Sequence, residues 1–139
     1  GQVAPDFTLN TPDGKPLSMH SIKGKVKVID FWASWCGPCR ADIPHLKETY
    51  ERYHGKGFDM VSISIDDDTD AWLKAVKEEG MAWTQVCGAN GKSYDKECMK
   101  LFGANGVPSC VLVDAEGRVV STNARGGWLN EKLAKLFQE

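Results

Sequence analysis

The sequence predicts an α/β sandwich, with a mixed central sheet, helices on both faces and an N-terminal hairpin. Three observations predict it. Two short continuous apolar runs rich in β-branched residues, "VKVIDFWA" and "FDMVSISID", read as strands buried on both faces. Amphipathic helical patterns alternate with the strands, as crossover connections require. A final hairpin pattern, "SCVLVDAEGRVVST", adds antiparallel pairing to that sheet.

From the N-terminus, "APDFTLNTPDGKPLSMHSIKGK" holds two short strand-like runs around the turn Pro12-Asp13-Gly14. After "VKVIDFWA", residues 38–54 carry Ile43, Leu46, Tyr50 and Tyr53 on one helical face, and Gly55 and Gly57 end the helix. The run "FDMVSISID" leads to a helix over Thr69 to Glu79, whose acidic first turn suits the helix dipole. A short strand over Thr84–Cys87 and a helix over Ser93–Phe102, capped by Gly103, come next. The last hairpin turns at Ala115-Glu116-Gly117. The terminal helix, from about Trp128, is expected to bury Leu129, Leu133, Leu136 and Phe137. Trp72, Trp83 and Trp128 are expected in the core.

The 139 residues suit a single domain, 1–139, with enough length for a hydrophobic core. A formal net charge of −2, with both signs dispersed, gives no electrostatic case for a nucleic-acid partner. No apolar run approaches the roughly 18 residues needed to span a bilayer. The chain opens on Gly1 rather than Met, so a mature or trimmed chain is expected.

The chemistry centres on "WCGPC". Pro38 suits a first helical turn, where its missing N–H costs nothing. Cys36 then stands at the helix N-terminus, where unpaired N–H groups and the dipole favour a thiolate. Cys39 lies one turn further in. Cys36 is the expected attacking thiol and Cys39 the resolving one. The rival reading is a zinc half-site, but no second CxxC exists and His20, His45 and His54 lack a paired spacing. A purely structural disulfide is a poor reading as well, since so short a loop constrains the unfolded chain little.

These residues resemble the thioredoxin fold, and more narrowly the extracytoplasmic thiol-disulfide oxidoreductases of the TlpA/ResA type, related to the AhpC/TSA group. "FWASWCGPC" matches the active-site block. Pro44 matches the proline within the active-site helix. "GVPS" matches the cis-proline loop, with Pro108 the cis residue. "APDF" and the additional helix and strand across 69–87 resemble the TlpA/peroxiredoxin branch. The resemblance implies a three-layer thioredoxin-like sandwich and disulfide exchange with protein disulfides or dithiols, as reductase or isomerase. It also implies a membrane or thioredoxin-type electron donor, an extracytoplasmic (periplasmic, membrane-anchored) location and a monomer. No cofactor beyond the Cys36–Cys39 disulfide and no metal are expected. Gly37, Pro38 and Pro44 shape the site, and Trp35, Val107 and Pro108 meet the substrate.

Asp30 matches the buried acid of thioredoxins. Independently, a carboxyl in so apolar a strand has a raised pKa, because burial penalises its charged form. It is the expected acceptor of the Cys39 proton. Ser62 stands where thioredoxin carries a lysine, and no glutamate lies between Asp30 and Cys36.

Two other functions are weaker. A peroxiredoxin-type thiol peroxidase wants Thr or Ser where Ala33 stands, and a copper metallochaperone wants CxxxC with a histidine. "DDDTD" lacks the Gly (Ala71) and Glu (Lys77) of a calcium loop and is read as a strand end and helix cap. Cys98 shares a stripe with Tyr94, Leu101 and Phe102, and Cys87 ends the strand before it. The two are expected as buried thiols, with a disulfide the alternative. Cys110 is expected as a small buried hydrophobe with a redox role left open.

Overall fold

The computed structural model describes residues 2–88 and 94–137. It holds seven strands and four helices: β1 (Thr8–Asn10), β2 (Pro16–Ser18), β3 (Val26–Trp32), α1 (Gly37–Tyr53), β4 (Phe58–Ser64), α2 (Thr69–Glu79), β5 (Thr84–Cys87), α3 (Tyr94–Leu101), β6 (Ser109–Val113), β7 (Val119–Ser121) and α4 (Gly126–Leu136). The sheet order is β2-β1-β5-β4-β3-β6-β7. β3, β4 and β5 are parallel, while β6 and β7 and the β1–β2 hairpin are antiparallel, so the sheet is mixed as expected.

The two central strands have no water-facing side. In β3, Val28, Ile29 and Phe31 have no exposed surface, and in β4 Met60, Val61 and Ile63 have none. Each such side chain contributes about 1.5–3 kcal/mol on burial. Strand alternation splits them between two cores. Val28, Met60 and Leu112 pack with Leu46 and Tyr53 of α1 and Leu129 and Leu133 of α4. Ile29, Val61 and Val111 pack with Trp72 and Ala75 of α2, Cys98 and Met99 of α3, and Phe102 just after it. Helices therefore cover both faces.

Helix ends follow the expected chemistry. Asp68 of "DDDTD" caps α2, its carboxylate accepting the Asp70 and Ala71 N–H groups. Gly103, at φ +87°, closes α3: the Ala104 N–H reaches back to the Met99 carbonyl at 3.1 Å. Ser93, where the sequence starts that helix, lies outside the described residues, as does Gly91 of the preceding loop.

Three burial expectations need correction. Trp128 is 45% exposed, Leu136 40% and Leu101 62%. Leu101 and Leu136 are the last residues of α3 and α4. Trp128 lies in the first turn of α4 against β7, a three-residue edge strand too short to cover an indole. Trp72 and Trp83 are core residues as expected.

Candidate active site

β3 carries the chain to Trp32, and the turn Ala33–Trp35 delivers Cys36 to the start of α1. Cys36 has extended backbone angles (φ −91°, ψ 101°) and is the N-cap residue. Its Sγ accepts the Cys39 N–H at 3.2 Å, and its carbonyl accepts the Arg40 N–H at 3.1 Å. The sulfur thus occupies the place of a capping oxygen, where helix N–H groups stabilise negative charge. Pro38 lies in the first turn and Pro44 inside the helix. Cys36 and Cys39 are joined in a disulfide, with Cα atoms 5.3 Å apart. Cys87, Cys98 and Cys110 are buried and outside any disulfide, so the Cys87–Cys98 bond is not formed. Trp35 is 66% exposed next to the cysteines and leaves Cys36 itself buried.

The turn before Cys36 is clamped by residues the sequence reading missed. Ser34 donates its N–H to Asp66 Oδ2 at 2.9 Å and its hydroxyl to Asp66 Oδ1 at 2.5 Å. The Ser64 hydroxyl also donates to Asp66 Oδ2. Arg40 donates from Nη1 to the Ser34 carbonyl at 3.3 Å, and its Nε meets Glu79 Oε2 of α2 at 2.6 Å. The Ser34–Asp66 and Arg40–Glu79 pairs lie 32 and 39 residues apart, and no local pattern announces them.

Asp30 lies mid-sheet on the face toward α1 and α4. Its register partners are Ser62 on β4 and Cys110 on β6. The Ser62 hydroxyl donates to Asp30 Oδ2 at 2.8 Å, and the Trp83 indole N–H donates to Ser62 Oγ at 2.8 Å. The Cys110 thiol donates to Asp30 Oδ1 at 3.6 Å. Burial pushes the Asp30 carboxyl up to about 6, against the opposing hydrogen bonds from Ser62 and Cys110. Burial also holds the Cys110 thiol well above its usual range, with the Asp30 charge adding to it. Nearby, Arg125 binds Asp42 of α1 through Nε at 2.8 Å and Nη2 at 2.6 Å.

The Val107–Pro108 peptide bond is cis. Phe31 pairs with Ser109, so the antiparallel register sets Pro108 alongside Trp32, where the cysteine turn leaves the sheet. Val107 is half-buried, and Ser109 Oγ closes the loop onto the Gly106 carbonyl at 2.6 Å. Among the described residues, no group of three or more His, Cys, Asp or Glu side chains is placed to hold a metal ion, and no helix is long and apolar enough to cross a membrane.

Known proteins with this arrangement agree in kind. The Redoxin family model matches residues 1–128. The thiol-disulfide oxidoreductase ResA of Bacillus cereus is 27% identical over 139 residues, covering all of this chain and 77% of the relative. Among solved structures, the thioredoxin domain of a thiol-disulfide oxidoreductase from Bacteroides vulgatus superposes with a TM-score of 0.88 at 33% identity, covering 99% of this chain and 96% of that one. A thiol-disulfide oxidoreductase from Bacteroides fragilis gives 0.87 at 30% identity, covering 97% and 99%. A thioredoxin-like sheet with a cysteine pair at a helix N-terminus and a cis-proline loop beside it is the frame for disulfide exchange, and the chain belongs to the Redoxin family as a ResA-like thiol-disulfide oxidoreductase.

Proposed function

We propose that the chain acts as a reductase or isomerase of protein disulfides outside the cytoplasm, supplied with electrons by a membrane or thioredoxin-type donor. The observation that carries this reading is the Cys36 sulfur at the cap of α1, accepting the Cys39 N–H at 3.2 Å. In the reduced protein that place favours the Cys36 thiolate. The thiolate attacks one sulfur of a substrate disulfide, and the other substrate sulfur leaves and takes a proton. Cys39 then gives its proton to Asp30 and attacks Cys36 Sγ. The Cys36–Cys39 disulfide forms, the mixed disulfide breaks, and the second substrate thiol is released. Two electrons pass to the substrate, and the external donor returns them. Exposed Trp35, with Val107 and Pro108 across the turn, forms the surface a substrate meets.

Insulin reduction with a dithiol donor tests the assignment. Cys36→Ser abolishes turnover, and Cys39→Ser accumulates a mixed disulfide through Cys36. Accumulation through Cys39 in the Cys36→Ser variant instead would reverse the roles.

A further inference from the structure

Asp30 is 4% exposed, so a base in that position needs a way to exchange its proton with water. Its two carboxylate oxygens lead in different directions. Oδ2 leads to Ser62 and on to Trp83. An indole N–H donates and cannot accept, so that branch ends without a titratable group. Oδ1 leads to Cys110, which lines a small cavity of about 30 Å³ together with Asp42, His45, Leu46, Thr49 and Arg125. That volume exceeds the roughly 10–15 Å³ a water needs, and the polar lining offers more than the two partners such a water requires. His45, at the cavity's outer end, is exposed, while Cys110 at the inner end is 1% exposed.

We propose that Cys110 is the proton link between Asp30 and solvent, joining the carboxylate to the cavity between α1 and the start of α4. This deepens the reading of Asp30 as the acceptor of the Cys39 proton and rests on it. When Asp30 is protonated its O–H donates to Cys110 Sγ and the thiol turns its S–H toward the cavity. The carboxyl proton then passes to Sγ as the thiol's own proton passes to a cavity water, and the S–H turns back to the carboxylate. The thiol is unchanged, no bond to sulfur other than S–H is made or broken, and no electron moves. Burial keeps Cys110 protonated, so it remains an S–H donor to the carboxylate between events. The groups facing this path are Asp42 and His45 from α1, Arg125 ahead of α4, Ser62 from β4 and Trp83 ahead of β5. The Asp42–Arg125 ion pair frames the cavity. Cys110 is a positioning residue here, since it acts through Asp30.

The test compares Cys110→Val, which fills the site without a donor, with Cys110→Ser, which keeps one. Resolution of a preformed mixed disulfide is followed from pH 5 to 9, and the Asp30 carboxyl is titrated by carbon NMR. In Cys110→Val, loss of a donor to the charged form raises the Asp30 midpoint by about one pH unit. That shift alone lowers the ionised fraction of Asp30 at pH 7 from about 0.9 to about 0.5, so resolution near neutral pH falls by more than about twofold when the link is lost as well. Cys110→Ser restores the rate, with a midpoint at or below that of the parent. If Val and Ser give the same midpoint and the same rate profile, the link is wrong. Asp30→Asn separates the two ideas. A profile unchanged by Asp30→Asn overturns the base itself. A profile changed by Asp30→Asn but not by Cys110→Val overturns only the link. Should Cys110→Val fail to fold, Thr49→Val at the cavity wall replaces it. The proposal then requires slower resolution with an unmoved Asp30 midpoint, and an unchanged rate rejects it.

Discussion

Among the described residues two carboxylates are buried, and they are treated in opposite ways. Asp66, 2% exposed, accepts the Ser34 N–H and hydroxyl and the Ser64 hydroxyl. Asp30, 4% exposed, receives one hydroxyl and one distant thiol. Three donors aimed at the Asp66 oxygens replace much of the hydration lost on burial, whereas one hydroxyl and a weak S–H leave much of that of Asp30 unreplaced. Asp66 spends its hydrogen bonds on holding the turn before Cys36. Asp30 is left poised to take up a proton. The same side chain clamps a turn or carries a raised pKa according to how many donors surround it.

The largest expected effect comes from breaking the clamp. Asp66→Ala takes the acceptor from the half-buried Ser34 N–H and hydroxyl and from the buried Ser64 hydroxyl, and costs about 3 kcal/mol or more, at about 1–3 kcal/mol for each donor left dry. Urea denaturation measures it, and a loss under 1 kcal/mol would show that water replaces the carboxylate without penalty.

Asp30→Asn is expected to do the reverse. Burial pushes the folded carboxyl up to about 6 from its ordinary 3.8, so the fold binds the proton more tightly than the unfolded chain. The wild-type fold therefore loses stability as pH rises from about 4 to about 6 and carries the full penalty above that. The asparagine variant gains up to about 3 kcal/mol at pH 8 and nothing at pH 4. Denaturant midpoints at both pH values check the sign; a gain independent of pH would contradict it.

Ser62→Ala sharpens the contrast by starving Asp30 further. It removes the hydroxyl donor and strands the Trp83 N–H, costing about 1–3 kcal/mol and moving the Asp30 titration upward. An unmoved titration would mean that Ser62 serves Trp83 alone. The smallest effect is expected for Arg40→Met. Its ion pair is partly exposed, so about 1 kcal/mol or less is lost, and the loss shrinks in high salt.

Much of this contrast was half legible in the sequence. Asp30 stood out because every neighbour in its strand is apolar, and a lone acid there is conspicuous. Its partner Ser62 was placed correctly from the fold resemblance. Asp66 was hidden in "DDDTD", where four acids compete for one explanation. Capping was the right role for Asp68, while Asp66 turns inward to a serine 32 residues earlier. The strand and helix spans over 69–79 and 84–87 were readable because periodicity and capping are local. Exposure at helix ends was not. The stripes through Leu101 and Leu136 keep the apolar period to the last residue of α3 and α4, and periodicity carries no information about where a packing neighbour ends.

The register of the sheet gives the row around Asp30 a second consequence, for folding specificity. Gln85, Ser62, Asp30 and Cys110 lie side by side across β5, β4, β3 and β6, a polar line through strands that are otherwise almost wholly apolar. Buried apolar strands slide past one another at little cost, since one aliphatic neighbour resembles the next. Sliding β6 by two residues would set Leu112 against Asp30 and strip the carboxyl of its thiol, and a matching slip of β4 toward Met60 would take the hydroxyl as well. Each loss leaves a polar group dry, at about 1–3 kcal/mol apiece. The row thus works as a set of alignment marks: the strands that hold Asp30 are also held in step by it.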